Sequence, residues 1–102
     1  MLRIELVPDL SHCIHTVAKK EYNDVLRRLL SVNSGRKKLE EKLELLIIIL
    51  KDMDFQQLRQ ESEKYLVEGK NVKFIFHLEN GSLEYEMSVT NSNSTQAIRH
   101  KS

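Results

Sequence analysis

The chain has 102 residues, 40% hydrophobic and 30% charged, with a formal net charge of +1, which bounds it to one domain with one modest core. Its single cysteine, Cys13, excludes an internal disulfide and fits a reducing compartment. The longest apolar run, Leu45 to Leu50, falls far short of the roughly 20 residues of a membrane span, and the N-terminus lacks the apolar core and cleavage site of a signal peptide, so a cytoplasmic protein outside the membrane is expected.

From Met1 to Val7, Leu2, Ile4 and Leu6 alternate with Arg3 and Glu5, which predicts a short strand with one buried face. Pro8 ends it, and Asp9 or Ser11 can cap the next element. From Leu10 to about Val32, the residues Ile14, Ala18, Tyr22, Val25, Leu29 and Val32 recur at steps of three and four. Leu10, Val17, Leu26 and Leu30 widen that stripe. The pattern predicts an amphipathic helix, stopped by Asn33, Ser34 and Gly35.

Between Arg36 and Asp54, Leu39, Leu43, Leu46, Leu50 and Met53 keep the same alternation, so one helix of about five turns is expected. Within it, Leu45 to Leu50 also suits a fully buried strand, because three consecutive isoleucines favour extended backbone. The helix is preferred because no Gly, Pro or Asn interrupts the segment. After Glu44 such a helix is apolar on most sides, which places it at the domain centre or at a subunit interface. Asp54 followed by Gln57 is a capping pattern for a third helix with the stripe Phe55, Leu58, Tyr65 and Leu66, closed by Gly69.

Asn71 to Thr90 reads as two alternating strands around Asn80-Gly81, the dipeptide suited to a type I′ hairpin turn. That turn sets Leu78 opposite Leu83, Phe76 opposite Tyr85, Phe74 opposite Met87 and Val72 opposite Val89, all on one dry face. The other face carries Lys73, Ile75, His77 and Glu79 against Ser82, Glu84, Glu86 and Ser88. Residues 1–90 are expected to form the domain and residues 91–102, rich in Asn, Ser, Thr and Gln, a flexible tail.

The stretch Phe55 to Leu78 resembles the helix-glycine-strand unit in the C-terminal domain of bacterial translation initiation factor three, on Leu66, Gly69, Val72, Lys73 and Phe76. It departs from that family after the strand, where Glu79-Asn80-Gly81 turns the chain back in place of an arginine-rich continuation. A strand at Leu45 to Leu50 would extend the resemblance, and membership is not inferred from it.

Chemistry-bearing residues are few. His12, Cys13 and His15 lie together, but a zinc or iron site takes three or four ligands and no further ligand pattern accompanies them. They are read as ordinary side chains, and neither a metal nor a cofactor is expected. Cys13 has no glycine-rich turn or oriented third group to make it a nucleophile. His77 opposite Glu84 can act as an acid-base pair, yet a solvated cross-strand pair is the preferred reading, and no catalytic residue is assigned.

Charge is uneven along the chain. Lys19, Lys20, Arg27, Arg28, Arg36, Lys37 and Lys38 face only Glu21 and Asp24 in the same stretch. Arg27, Arg28, Arg36, Lys37 and Lys38 are therefore candidate nucleic-acid contacts, although a solvated helix surface paired with Glu40, Glu41 and Glu44 is the preferred reading. Ile47, Ile48 and Ile49, with Ile75 alone on the polar face of the hairpin, are the candidate dimer interface. The sequence thus predicts an α+β domain whose N-terminal strand joins the C-terminal hairpin in a small antiparallel sheet packed on helices. The expected function is a non-catalytic interaction or regulatory module, homodimeric or in a small protein complex. The alternative is an RNA- or DNA-binding accessory protein.

Overall fold

The hairpin joins β2 (Lys70–Glu79) to β3 (Ser82–Asn91) through Asn80 and Gly81, whose φ angles are 53° and 81°. Two positive φ angles in a two-residue turn match the right-handed twist of the strands, and Asn-Gly supplies them at little steric cost. The register is the expected one from Glu79 opposite Ser82 to Asn71 opposite Thr90, and the ladder runs one pair further, to Lys70 opposite Asn91. β1 (Arg3–Leu6) pairs antiparallel with the other edge of β2, Ile4 opposite Phe76 and Leu6 opposite Phe74. The sheet order is therefore β1-β2-β3.

This is a computed structural model that describes residues 2–91. Three helices, α1 (Ile14–Ser31), α2 (Arg36–Asp52) and α3 (Phe55–Val67), lie between β1 and β2 in the chain and pack on the dry face of the sheet, giving an α+β fold. Of the tail expected over residues 91–102, only Asn91 is among the described residues, and there it is the last residue of β3.

α1 begins at Ile14 and not at Leu10. The Asp9 carboxylate accepts hydrogen bonds from the backbone N–H of Ser11 and His12, at 2.8 and 2.7 Å, and holds the preceding segment as a turn. An Asp side chain that satisfies the backbone locally competes with helix formation. Leu10 is accordingly 67% exposed, outside the apolar stripe, and Leu30 is also on the surface.

Leu45 to Leu50 is helical, within α2. Leu45, Leu46 and Ile49 are buried at helical spacing while Ile47 is 45% exposed, so the run is read by the helix and not by a strand. The extended resemblance to the initiation-factor unit, which needed a strand here, is absent. α2 stops at Asp52 rather than Asp54 because Asp54 caps α3, accepting a hydrogen bond from Gln57 N–H at 3.2 Å. α1 and α2 form a helical hairpin whose ends are tied by Arg36. Its guanidinium donates to the Leu29 and Val32 carbonyls at the end of α1. Those are carbonyls that a helix terminus leaves without intrahelical partners.

The core is continuous from Ile4 and Leu6 through Phe74, Phe76 and Val72 to Ile14, Val25, Leu46, Ile49 and Leu58. Phe74, Phe76 and Tyr85 form an aromatic cluster with centroids 6.0 to 6.3 Å apart. Phe76→Ala removes a fully buried ring from its centre and should lower unfolding free energy by about 3 to 5 kcal/mol. Gly81→Val places a β-branched residue at φ 81° and should also destabilise. Urea denaturation checks both, and unchanged midpoints would contradict this strand pairing.

Candidate interaction surfaces

The helical layer does not cover the sheet evenly. α3 packs on β2, α1 and α2 reach β1, and among the described residues β3 lies less close to the helices than β2 does. On the dry face of β2, Val72, Phe74 and Phe76 are therefore buried, while Leu83, Tyr85, Met87 and Val89 on the same face of β3 are only partly covered. One side-chain hydrogen bond among the described residues ties β3 to the helices: the Tyr85 hydroxyl donates to the Glu61 carboxylate of α3 at 3.2 Å. Burial, and then the neighbouring Glu61 charge, push the Tyr85 phenol above its ordinary value of 10.0. The periodicity of β3 showed which face is apolar, but not that the helices stop short of it.

The candidate dimer residues separate in the fold. Ile49 is fully buried in the core of one chain and Ile75 is only 7% exposed, so neither is free to meet a partner. Ile75 lies on the central strand between Glu5 of β1 and Glu86 of β3, and Lys73 and Glu5 form an ion pair beside it at 3.5 Å. Flanking strands with long side chains cover an apolar residue on a polar face without help from a second molecule. Ile47 is exposed and Ile48 half-buried, the latter lining a shallow groove of about 300 Å³ with Leu2, Leu45, Leu78 and the acidic Glu41 and Glu44.

His12, Cys13 and His15 are adjacent in sequence but engage different neighbours. His12 Nδ1 lies 3.2 Å from Asp9 Oδ1, and the His15 ring stacks on Phe55 at 4.5 Å between centroids. Cys13 Sγ lies 3.4 Å from Thr16 Oγ1 at the start of α1, in a cleft of about 230 Å³ that Arg59 and Glu63 also line. The Thr16 hydroxyl, with backbone N–H groups of Thr16 and His15 and the Arg59 charge, holds the Cys13 thiol below its ordinary value of 9.0. Among the described residues no three His, Cys, Asp or Glu side chains form a cluster able to hold a metal.

His77 sits opposite Glu84 as expected, yet its ring Nε2 turns along its own strand to Glu79, 3.5 Å away. Nδ1 of His77 is buried with no hydrogen-bond partner among the described residues. The basic stretch is likewise divided. Arg27 and Lys20 bind Asp24, Arg36 reaches Glu40 at 3.8 Å besides closing α1, and Lys42 joins α2 to Glu21 of α1 at 2.7 Å. Arg28, Lys37 and Lys38 are exposed around the α1–α2 turn and have no carboxylate partner among the described residues. The role of Arg36 was legible only in part, since its position just after the glycine break hints at a cap but does not say which carbonyls it reaches.

A protein-family model matches residues 2–90, from the approach to β1 almost to the end of β3. The chain belongs to that family. A relative from Archaeoglobus fulgidus, described as an uncharacterized protein, is 43% identical over 51 residues, which cover 48% of this chain. The matched part spans 60% of that relative's length. No solved structure matches the chain. Among the described residues no helix is long and apolar enough to cross a membrane.

The Tyr85 phenol has a testable consequence. A folded pKa raised above the unfolded one contributes stability that is fully present below the ordinary value of 10.0 and is lost as pH rises through the folded value. Ultraviolet titration should therefore show one tyrosine ionising late, and Glu61→Gln should bring it part of the way back. A tyrosine titration unaltered by Tyr85→Phe except in amplitude would contradict this assignment.

Proposed function

We propose that this chain is a small non-catalytic interaction or regulatory module that works as a homodimer in the cytoplasm. The observation that carries this reading is the partly exposed apolar row Leu83, Tyr85, Met87 and Val89, beside a strand whose Val72, Phe74 and Phe76 are buried. Contiguous apolar surface of this kind marks a site of association. The non-catalytic half of the reading is supported by the scatter of the reactive side chains: Cys13 beside Thr16, His15 on Phe55 and His77 against Glu79. A general base and a nucleophile need to lie within hydrogen-bond reach of one another.

The reading is tested by sedimentation equilibrium of the full chain. The expected result is a species of twice the 12.0 kDa chain mass at micromolar concentration. A monomer persisting to about 100 μM, where even a dimer held by about −6 kcal/mol is well populated, would remove the homodimer.

The second reading is binding to RNA or DNA, favoured by Arg28, Lys37 and Lys38 around the α1–α2 turn, cations without a carboxylate partner among the described residues. Fluorescence anisotropy with mixed RNA and DNA fragments at physiological salt is expected to show nothing above background, for the wild type and for Lys37→Gln/Lys38→Gln alike. Arg36 is left intact because it closes α1. Submicromolar binding that the double change abolishes would put the nucleic-acid reading first.

A further inference from the structure

Resting on the homodimer reading, we infer that the open edge of β3 pairs antiparallel with β3 of a second copy about a two-fold axis through Met87. Two three-stranded sheets then become one sheet of six strands.

β3 is ten residues long and, among the described residues, is hydrogen-bonded to a strand on one side only. The other edge of the sheet is protected by the brevity of β1, four residues followed by Pro8. β3 has no such protection: it holds neither Pro nor Lys, and its only charged residues are Glu84 and Glu86. A long, regular edge of this kind is a template for strand addition.

The turn decides which residues offer that template. In a two-residue hairpin the residues flanking the turn, here Glu79 and Ser82, exchange both backbone hydrogen bonds. Counting in twos from Ser82, the residues Glu84, Glu86, Ser88 and Thr90 direct N–H and C=O toward β2. Leu83, Tyr85, Met87, Val89 and Asn91 therefore direct theirs to the open edge. Four of those five also carry the half-covered apolar row, so one added strand satisfies the backbone and covers the side chains together.

Charge then chooses the register. Dry face must meet dry face, so only registers that place the axis on a residue of β3 and keep odd residues opposite odd ones are open. With the axis at Glu86 the two Glu86 side chains face each other, and with the axis at Tyr85 each Glu84 faces Glu86 of the other copy. Like charges directly opposite are destabilising. With the axis at Met87, Glu86 faces Ser88 and Glu84 faces Thr90, each a carboxylate against a hydroxyl. On the dry side Tyr85 then faces Val89, and Met87 faces its own copy. Moving the axis on to Ser88 also separates the glutamates but leaves Leu83 unpaired and sets Tyr85 against Asn91. Met87 is thus the axis with the longest overlap that keeps the carboxylates apart. The axis stands perpendicular to the sheet, and the two helical layers lie side by side on one face.

The pairing is tested with two single-cysteine variants, Glu86→Cys and Ser88→Cys, each carrying Cys13→Ser. Residues 86 and 88 form a non-hydrogen-bonded pair in this register, where Cα atoms are about 4.5 Å apart, within the span of a disulfide. After mild oxidation the mixture of the two variants should give at least tenfold more disulfide-linked dimer than either variant alone. Cross-linking mainly in Glu86→Cys alone or in Ser88→Cys alone would overturn the Met87 axis. No cross-link in a protein that sediments as a dimer would overturn the edge pairing while leaving the homodimer reading intact, and a wild-type monomer would end both. A second pair of variants guards against failure to fold. Met87→Lys should raise the dimer dissociation constant at least tenfold with the circular dichroism spectrum unchanged, and Ile47→Lys should leave it unaltered. The reverse pattern would move the interface to α2 and overturn the inference.

Discussion

Among the described residues β2 is the only strand hydrogen-bonded along both edges, and its dry face carries the three side chains around which the core closes, Val72, Phe74 and Phe76. Its alignment is set at one point, by the positive φ angles of Asn80 and Gly81. A slip of one residue there would turn the phenylalanines to solvent and bring Lys73, Ile75 and His77 inward. The same register places Ile4 and Leu6 of β1 in line with Phe76 and Phe74, although some seventy residues separate them in the chain. The long return from β1 to β2 is filled by helices, which is how a chain this short covers the sheet.

Coverage is nevertheless one-sided. α1 and α2 are locked as a hairpin by Lys42 and Glu21 and by Arg36 on the end of α1, while α3, capped at its start by Asp54, packs on β2 and buries Leu58 in the core. This leaves β3 joined to α3 by the hydrogen bond from Tyr85 to Glu61, held through its ladder to β2, and packed on the core by side chains that stay partly exposed. A strand whose apolar face is only partly covered and whose outer backbone edge is unpaired among the described residues is what a domain with a small core offers for assembly. The proposed functional reading and the proposed pairing both follow from that asymmetry rather than from any catalytic group.

The polar side chains serve local purposes. Asp9 holds a turn ahead of α1, Asp24 gathers Lys20 and Arg27, and His15 lies flat on Phe55. Asp24 is held below its ordinary acidity value of 3.8, first by the Arg27 hydrogen bond. It sits on the surface, where such pairs contribute little to stability. Cys13 stands apart, with a thiol made more acidic by Thr16 in a cleft that contains Arg59, and its side-chain hydrogen bond is to the Thr16 hydroxyl and not to a base.

Elements with a strong local signal were legible from the residues alone. The Asn-Gly turn and strict alternation determined the hairpin with its cross-strand pairs from Asn71 to Thr90, and Asp54 with Gln57 determined the start of α3, because both rest on contacts between near neighbours in the chain. Helical spacing also favoured α2 over a strand at Leu45 to Leu50, but apolar run and period alone could not exclude the strand. Tertiary packing resolved it, burying Leu45, Leu46 and Ile49 and leaving Ile47 outside. Local pattern misplaced the beginning of α1, since it weighed the apolar Leu10 and not the backbone bonds that Asp9 makes. It also assigned Ile49 and Ile75 to an interface, because a residue's apolar character states that it needs cover and not which part of the chain provides it. Where the cover ends, on β3, is a property of how three helices are placed over three strands. No local pattern carries that information, because it depends on contacts between segments far apart in the chain.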